Sequence, residues 1–343
     1  MTAEASTLKT ASNLHLSTFR VATEYATPPK SLLTRRSTII DVVIGEPGMY
    51  EENQKPLPPG DVTVLFADQL AKMQAVTLLV SAQITPEKVL QGADRRNQQH
   101  FAAICRRLLL PGSGIQGIGN LAELAQLARA GRSSLICLNH RSNLDVPTLC
   151  TLLEDHGQID LFHQIIWIAG RKLEEDSALT RTLFHCFNRV ILTPHTWFDM
   201  EHTEDKLQEA RRVNLAAERC IARLRHEGWI FGLFPSGTRI RPGNESTARA
   251  IDETDSYLKM FEHFILCHID GCTLPVSKDQ NLTHETPQLD RVVYTFGPVQ
   301  STDQWRAAAA KRTPQADQKT ASALAIMEDI ATLKGLRESN DSV

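Results

Sequence analysis

The sequence lacks long apolar runs and carries no large excess of either charge. None of its apolar stretches approaches the roughly 20 residues that a membrane-spanning helix needs, so we expect no such helix. The formal net charge of the 343 residues is -3. A chain with nearly balanced charge is not attracted to nucleic acid as a whole, so any anion-binding site must be local. We therefore expect no nucleic-acid partner.

The sequence also lacks the cysteine spacing of a disulfide framework or a zinc site. Its seven cysteines are scattered without paired spacing, which predicts reduced thiols in a cytosol-like compartment. Cys267, His268 and Cys272 are close enough in sequence to be considered as metal ligands, but the second half of a zinc signature is missing. We predict no metal site and no other cofactor.

The first 40 residues have no continuous apolar core, so they are not predicted to be a secretory signal. They are rich in serine and threonine, poor in acids, and carry the basic residues Lys9, Arg20, Lys30, Arg35 and Arg36. This composition is typical of an organellar transit peptide. A loosely structured N-terminal segment of a cytoplasmic protein is the alternative.

Apolar and charged residues make up 42% and 22% of the chain, which is ordinary for a globular protein. Short apolar runs predict strands at 135–138, 164–169, 190–192, 229–234, 272–276 and 292–296. Helical patterns predict helices at 62–80, 85–110, 120–130, 146–154, 177–187, 204–226 and 256–266, with a last helix ending near residue 333. Residues 38–44 are predicted to be a strand or a helical turn.

Strands that alternate with helices predict an α/β fold, with a layered, mixed and partly parallel sheet flanked by helices. A chain of this length holds one large or two unequal domains. We expect a smaller, partly helical N-terminal module at residues 1–82 and an α/β domain at residues 83–343.

A glycine-rich stretch at residues 112–117 matches the spacing G-x-G-x-x-G. The dinucleotide-binding fingerprint needs a strand before it and an acid about twenty residues after it. Here a predicted helix comes first, and the region around Cys137 has no acid. We interpret the stretch as a loop that precedes the helix at 120–130.

A histidine and an aspartate are spaced as His-x4-Asp after the first predicted strand of the α/β domain. His140 follows the strand and Asp145 lies in the first turn of the next helix; such strand ends carry the chemistry of open α/β sheets. A carboxylate bonded to one imidazole nitrogen leaves the other nitrogen free to accept a proton from a hydroxyl. The alternative is that Asn139 and Asp145 cap a helix and His140 is a surface histidine.

The strand predicted at 229–234 is followed by a turn of small residues and two arginines. In an extended segment Arg239 and Arg241 point the same way, so together they predict a clamp for a phosphate. Two solvated arginines on a loop are the alternative. Ser236 is considered as a nucleophile, but a nucleophile elbow needs glycines where Phe234 and Thr238 stand. We expect Ser236 and Gly237 to shape the loop and contact the substrate.

Two further basic residues follow predicted strands and are candidates for the same cleft. Lys172 follows the strand at 164–169, and His195 follows the strand at 190–192. Each residue taken alone is more typical of a solvent-exposed surface position.

With these residues assembled, residues 115–300 resemble the glycerophospholipid acyltransferases, and most of all the soluble plastid-stromal and bacterial glycerol-3-phosphate 1-O-acyltransferases. The similarity rests on the block from His140 to Asp145 and on Phe234-Pro235-Ser236-Gly237 with Arg239 and Arg241. Weaker similarity covers Ile168–Arg171, His195 with Phe198-Asp199, Leu266–His268 and Leu274–Val276. The stromal enzymes carry a lysine beside the histidine of the phosphate site, where this chain has Pro194.

The resemblance implies transfer of a fatty acyl group from acyl-carrier protein or coenzyme A to the sn-1 hydroxyl of glycerol 3-phosphate, the first step of phospholipid synthesis. It implies His140 as base, Asp145 as its partner, and Arg239 and Arg241 as phosphate ligands, with His195 as a further ligand. It also implies an N-terminal helical domain and, if residues 1–40 are a transit peptide, a plastid stroma location. Three alternatives stay open: a lysophospholipid acceptor, a serine hydrolase using Ser236, and a non-catalytic lipid-binding module that contacts membranes transiently.

Overall fold

The computed structural model describes residues 42–44, 50, 54–77, 83–172, 178–279 and 281–334. Within them, ten strands form one mixed sheet. The strands are β1 (Val42–Ile44), β2 (Leu90–Gln91), β3 (Gly114–Gln116), β4 (Ser134–Leu138), β5 (Ile165–Gly170), β6 (Arg189–Leu192), β7 (Ile230–Leu233), β8 (His263–Asp270), β9 (Val293–Phe296) and β10 (Gln300–Ser301).

Helices cover both faces of this sheet. They are α1 (Val62–Leu65), α2 (Ala67–Val76), α3 (Arg95–Leu108), α4 (Ile118–Arg129), α5 (Asp145–Asp155), α6 (Ile159–His163), α7 (Ala178–Phe184), α8 (His195–Phe198), α9 (Glu204–Leu224), α10 (Glu253–Leu258), α11 (Thr302–Arg312) and α12 (Gln318–Thr332). In the described part of the chain, no helix is both long enough and apolar enough to cross a membrane.

The strand order is β1-β3-β9-β8-β4-β7-β5-β6-β2, with β10 paired to β8. The five strands from β8 to β6 in this order are parallel to one another, whereas β9 is antiparallel to β8 and β2 is antiparallel to β6. Parallel strands need long crossovers, and helices supply them. The predicted α/β fold with a partly parallel sheet is confirmed.

Two apolar layers cover the two faces of the sheet. One contains Phe101 of α3, Leu121 of α4 and Leu149 of α5. The other contains Val213 and Ile221 of α9, together with residues of α11 and α12. All five residues of β4 are buried because this strand lies between two parallel neighbours and under both layers.

The predicted N-terminal module is described in part. The helix predicted at 62–80 is observed as α1 and α2, which are separated at Phe66. Val62, Phe66, Leu70 and Met73 join the same buried cluster as the helices of the α/β domain. Residues 1–41 and 78–82 lie outside the described residues, so the targeting segment and the domain boundary stay predictions.

Two predicted helices are wrong in part. The helix predicted at 85–110 begins only at Arg95, because Leu90 and Gln91 pair with β6 and the side chain of Asp94 caps the helix by accepting a hydrogen bond from the Arg96 N–H. The helix predicted at 256–266 ends at Leu258, and the apolar run after it is β8. Residues 272–276, predicted to be a strand, belong to no strand.

The glycine-rich stretch is not simply a loop, since Gly114–Gln116 form β3 and pair with β9. Gly117 then starts α4 with φ +68°, and a Cβ atom there would lie 2.2 Å from the Phe296 carbonyl oxygen. The glycine therefore permits close packing of α4 against β9, and the chain continues into a helix as predicted.

Strand β8 separates the side chains of two of the three residues considered as metal ligands. Cys267 and His268 are adjacent on this strand, so their side chains point to opposite faces. Burial raises the pKa of the Cys267 thiol well above its ordinary value. Within the described ranges, no group of three or more His, Cys, Asp or Glu side chains is arranged to hold a metal ion.

Candidate active site

The predicted site residues lie together at the carboxyl ends of four strands of the sheet. His140 follows β4, Lys172 follows β5, His195 follows β6 and Arg239 follows β7. These four strands are parallel and contiguous, so their carboxyl ends open on the same side. One cavity of about 1690 Å³ is lined by His140, Lys172, His195, Ser236, Gly237, Arg239 and Arg241.

Asp145 lies behind His140 and holds its ring by one nitrogen. The distance from His140 Nδ1 to Asp145 Oδ2 is 2.8 Å. The same oxygen accepts hydrogen bonds from the backbone N–H groups of Arg141 and Ser142, at 2.7 and 3.0 Å. A carboxylate can only accept, so Nδ1 carries the proton and Nε2 is the basic nitrogen. The side chains of His140 and Asp145 are 20% and 5% exposed, so the carboxylate is shielded and the base is accessible.

The loop that carries this pair is fixed to the neighbouring strands. The side chain of Asn139 bonds to Ile269 as the backbone of a paired strand would. It donates to the Ile269 carbonyl at 3.0 Å and accepts from the Ile269 N–H at 2.7 Å. The hydroxyl of Tyr294 on β9 donates to the Asp145 carbonyl at 2.6 Å. The loop of His140 and Asp145 is therefore positioned by β8 and β9 as well as by its own strand.

An aromatic stack supports the other side of the base. The rings of His140 and Phe234 are stacked with centroids 4.0 Å apart, and Phe234 stacks on Trp167 at 5.6 Å. Gly232 makes room for the indole, because a Cβ atom there would lie 2.5 Å from Trp167 Cε3. Strands β4, β5 and β7 thus fix the plane of the imidazole.

The two arginines of the predicted clamp have different surroundings. The Arg239 guanidinium, 14% exposed, donates through Nη1 to the fully buried carboxylate of Glu285. Arg241 donates through Nη2 to the Thr238 hydroxyl at 3.2 Å, while its Nε is buried and finds no hydrogen-bond partner among the described residues. Both side chains line the cavity, and each keeps donors that can bind an anion.

The small-residue turn uses its own polar groups internally. The buried Ser236 hydroxyl donates to the Thr238 carbonyl at 2.6 Å. Gly237 adopts φ +62° and its N–H donates to the Phe234 carbonyl at 2.9 Å. The turn therefore leads into the segment that carries the two arginines. The backbone N–H of Gly237 is already hydrogen-bonded within the protein.

Lys172 and His195 lie at the outer part of the cavity. Lys172 is exposed, and the His195 side chain is 70% exposed and 4.0 Å from Asp199. Arg171, beside Lys172, donates to the Thr193 hydroxyl at 3.3 Å and lies over the Trp197 ring. Lys172 and His195 have the freedom of surface side chains, whereas the arginines after β7 are held.

A second part of the cavity is mainly apolar. Its wall is supplied by residues at the ends of β5, β6 and β7, by one side of α9, and by α10 and the turn after it, namely Ile168, Leu192, Leu215, Ile221, Leu233, Tyr257 and Met260. The cavity is therefore lined by apolar side chains as well as by His140, Arg239 and Arg241.

Sequence reasoning missed Glu285, Trp167 and Asn139 as parts of this site. Asn139 directly precedes the His-x4-Asp block, and its position directly after a strand was the available signal. Glu285 lies in a loop with no motif, far from the other residues in sequence. Only the folded chain brings it to Arg239.

Residues 119–263 match the family model described as Acyltransferase. The matched segment contains His140, Asp145 and both arginines, so the match supports acyl transfer as the general chemistry of this cavity. The match ends before Glu285. No curated protein matches the chain.

Proposed function

We propose that the chain transfers a fatty acyl group from a thioester to the sn-1 hydroxyl of glycerol 3-phosphate. The observation that carries this proposal is the placement of an oriented imidazole and two arginines along one cavity. The base fits an acceptor that bears a hydroxyl, and the arginines fit an acceptor that bears a phosphate. The acyltransferase match agrees with this chemistry.

In the proposed reaction, Arg239 and Arg241 hold the phosphate, with Lys172 contributing positive charge and His195 a further hydrogen-bonding group at the outer part of the cavity. Anchoring the phosphate places the hydroxyl beside His140 Nε2 and converts a bimolecular encounter into a local one. Nε2 accepts the hydroxyl proton while the oxygen forms a bond to the thioester carbonyl carbon. The carbon–sulfur bond then breaks, and the imidazolium returns the proton to the departing thiolate.

Asp145 contributes by stabilising the imidazolium, since its carboxylate is already bonded to Nδ1. General-base catalysis of this kind is worth about 10²–10⁴ in rate. The proposed reaction is a direct transfer without an acyl-enzyme, which is supported by the engagement of the Ser236 hydroxyl with the Thr238 carbonyl.

A lysophospholipid acceptor is the second candidate. It is favoured by the volume of the cavity, about 1690 Å³, and by its apolar wall, since glycerol 3-phosphate itself is small and polar. In the primary proposal the acyl chain of the donor occupies this region. A serine hydrolase is tested by labelling with a fluorophosphonate, which should leave Ser236 unmodified.

The deciding experiment offers glycerol 3-phosphate and lysophosphatidate as competing acceptors, each with thioesters of acyl-carrier protein and of coenzyme A. We expect the labelled acyl group to appear on glycerol 3-phosphate, and the better thioester identifies the donor. Preferential acylation of lysophosphatidate would replace the primary proposal by the second candidate.

A further inference from the structure

Glu285 is a buried carboxylate that the proposed reaction does not use. Its side chain is 0% exposed and is paired with the Arg239 guanidinium. Its second oxygen accepts a longer hydrogen bond, 3.4 Å, from the side-chain amide of Asn143. Asn143 lies between His140 and Asp145 in the loop that carries the base. One carboxylate thus connects the arginine segment after β7 with the loop after β4.

The backbone of Glu285 is held as firmly as its side chain. Its N–H donates to the Leu282 carbonyl at 3.1 Å, and its carbonyl accepts from the Val62 N–H at 3.0 Å. Val62 is the first residue of α1, whose N-terminus is capped by Asp61. The N-terminal helices therefore help to fix the position from which Glu285 reaches the site.

Burial makes this carboxylate costly unless it is paired. Burial raises the pKa of Glu285 above its ordinary value, while Arg239 and Asn143 act in the opposite direction. Removing one partner of such a pair leaves the other uncompensated. A fully buried carboxylate is also out of reach of an incoming substrate phosphate, so it acts as a lasting partner of the arginine.

We propose that Glu285 is a positioning residue that fixes Arg239 relative to His140. An arginine has five N–H donors in a planar fork, and an anion bound at Nη1 orients the remaining donors. Arg239 lines the cavity, so those donors are presented to an acceptor phosphate. Through Asn143 the same carboxylate restrains the base loop. The inference rests on the proposed function, because the phosphate and the hydroxyl must be held at a fixed separation.

The test is a double-mutant cycle of Glu285→Gln and Arg239→Ala. For each protein, KM and kcat are measured with glycerol 3-phosphate, and calorimetry gives the Kd for glycerol 3-phosphate. Glutamine keeps the size and one acceptor oxygen but loses the charge. We expect Glu285→Gln to raise KM and Kd for glycerol 3-phosphate about tenfold, the scale of a charge-assisted hydrogen bond, with the thioester KM unchanged. In the Arg239→Ala background, Glu285→Gln should have no further effect.

Asp255→Asn is the matched control. Asp255 is also a fully buried carboxylate paired with an arginine, Arg306, at 2.7 Å, and it does not line the cavity. We expect it to lower the thermal midpoint without changing KM for glycerol 3-phosphate. If Glu285→Gln behaves in the same way, Glu285 is structural and the proposal is overturned; additive effects of the two site variants overturn it as well.

Failure of the proposed function is visible separately. A wild-type protein that binds glycerol 3-phosphate but does not acylate it contradicts the proposed function, while the calorimetric cycle still decides the role of Glu285. A wild-type protein that does not bind glycerol 3-phosphate contradicts both. If Glu285→Gln is too unstable to purify, Asn143→Ala tests the same link, and it should lower kcat.

Discussion

At the scale of single residues, the tautomer of His140 follows from the hydrogen bonds around Asp145. One carboxylate oxygen accepts from two backbone N–H groups and from the imidazole, so the proton on Nδ1 is fixed and Nε2 is left basic. This is the arrangement that a general base needs before substrate arrives.

Replacing the base should remove acyl transfer while the fold remains. For His140→Ala we expect kcat to fall about 10²–10⁴-fold, the usual contribution of a positioned base. His140 is partly exposed, so circular dichroism and the thermal midpoint should change little. Turnover at the wild-type rate in this variant would remove His140 from the mechanism.

Asp145→Asn should also lower kcat, because an amide no longer stabilises the imidazolium and can present its NH₂ group to the backbone donors. We expect a loss of about 10²-fold or more. The pH–rate profile of the variant provides the measurement. Its kcat should stay below that of the wild type, by about the same factor, at every pH between roughly 5 and 9. Recovery of the wild-type kcat at high pH would contradict the assigned role.

The phosphate side is tested by Arg239→Ala. A lost charge-assisted contact to phosphate is worth about 1.5–3 kcal/mol, which is roughly a 10–100-fold higher KM for glycerol 3-phosphate. The thioester KM should stay the same, and Arg132→Ala, which removes an exposed ion pair with Glu262, is the control. A change confined to the thioester KM would assign Arg239 to the donor instead.

At the scale of elements, the site depends on three adjacent parallel strands, because their carboxyl ends lie side by side. The aromatic stack from Trp167 through Phe234 to His140 joins β5, β7 and β4, and Gly232 is the position where the stack fits against β7. Overpacking inside a core costs about 1–3 kcal/mol. The orientation of the His140 ring is therefore coupled to a glycine that does not line the cavity.

Gly232→Ala should displace the Trp167 indole and with it the support of the imidazole. We expect a loss of about 1–3 kcal/mol in the free energy of unfolding together with a lower kcat. Gly170→Ala is the stability control, because its Cβ atom would lie 3.8 Å from Pro194, an ordinary contact. Unchanged kcat and unchanged stability in Gly232→Ala would show that the stack is not needed.

The elements also show where sequence patterns suffice and where they fail. Runs such as Ser134–Leu138 sit between turn signals, so both their strand identity and the position of His140 could be predicted. The run Phe264–Ile269 is equally apolar but begins only a short turn after a helix, and a fully buried strand has no alternation to separate it from a helix. Glu285 could not be predicted as a site residue at all, because its contacts with Arg239 and Asn143 arise only in the folded chain.

At the scale of the whole molecule, the C-terminal helices are attached to the wall of the cavity through Asp255. This fully buried carboxylate on α10 accepts from Arg306 of α11 and Ser322 of α12, at 2.7 and 2.8 Å. Burial pushes the pKa of Asp255 up, but hydrogen bonds from Arg306, Lys259 and Ser322 bring it below its ordinary value. The ionised form is therefore the one that the folded protein stabilises.

A lowered pKa in the folded state means that this stabilisation is present above the pKa of an unfolded aspartate, about 3.9, and is lost as the pH falls through the lower folded value. We expect Asp255→Asn to be less stable than wild type by about 3 kcal/mol at pH 7. The difference should shrink as the pH falls below about 4. Urea unfolding at several pH values measures it, and a difference independent of pH would contradict the assignment.

Acyl transfer to glycerol 3-phosphate is tested most directly by following the product of the wild-type protein. Labelled acyl thioester and glycerol 3-phosphate should yield 1-acylglycerol 3-phosphate, with label on the sn-1 oxygen and with product formation abolished in His140→Ala. Thioester consumed only by hydrolysis, or label found only on a lysophospholipid acceptor, would contradict the account.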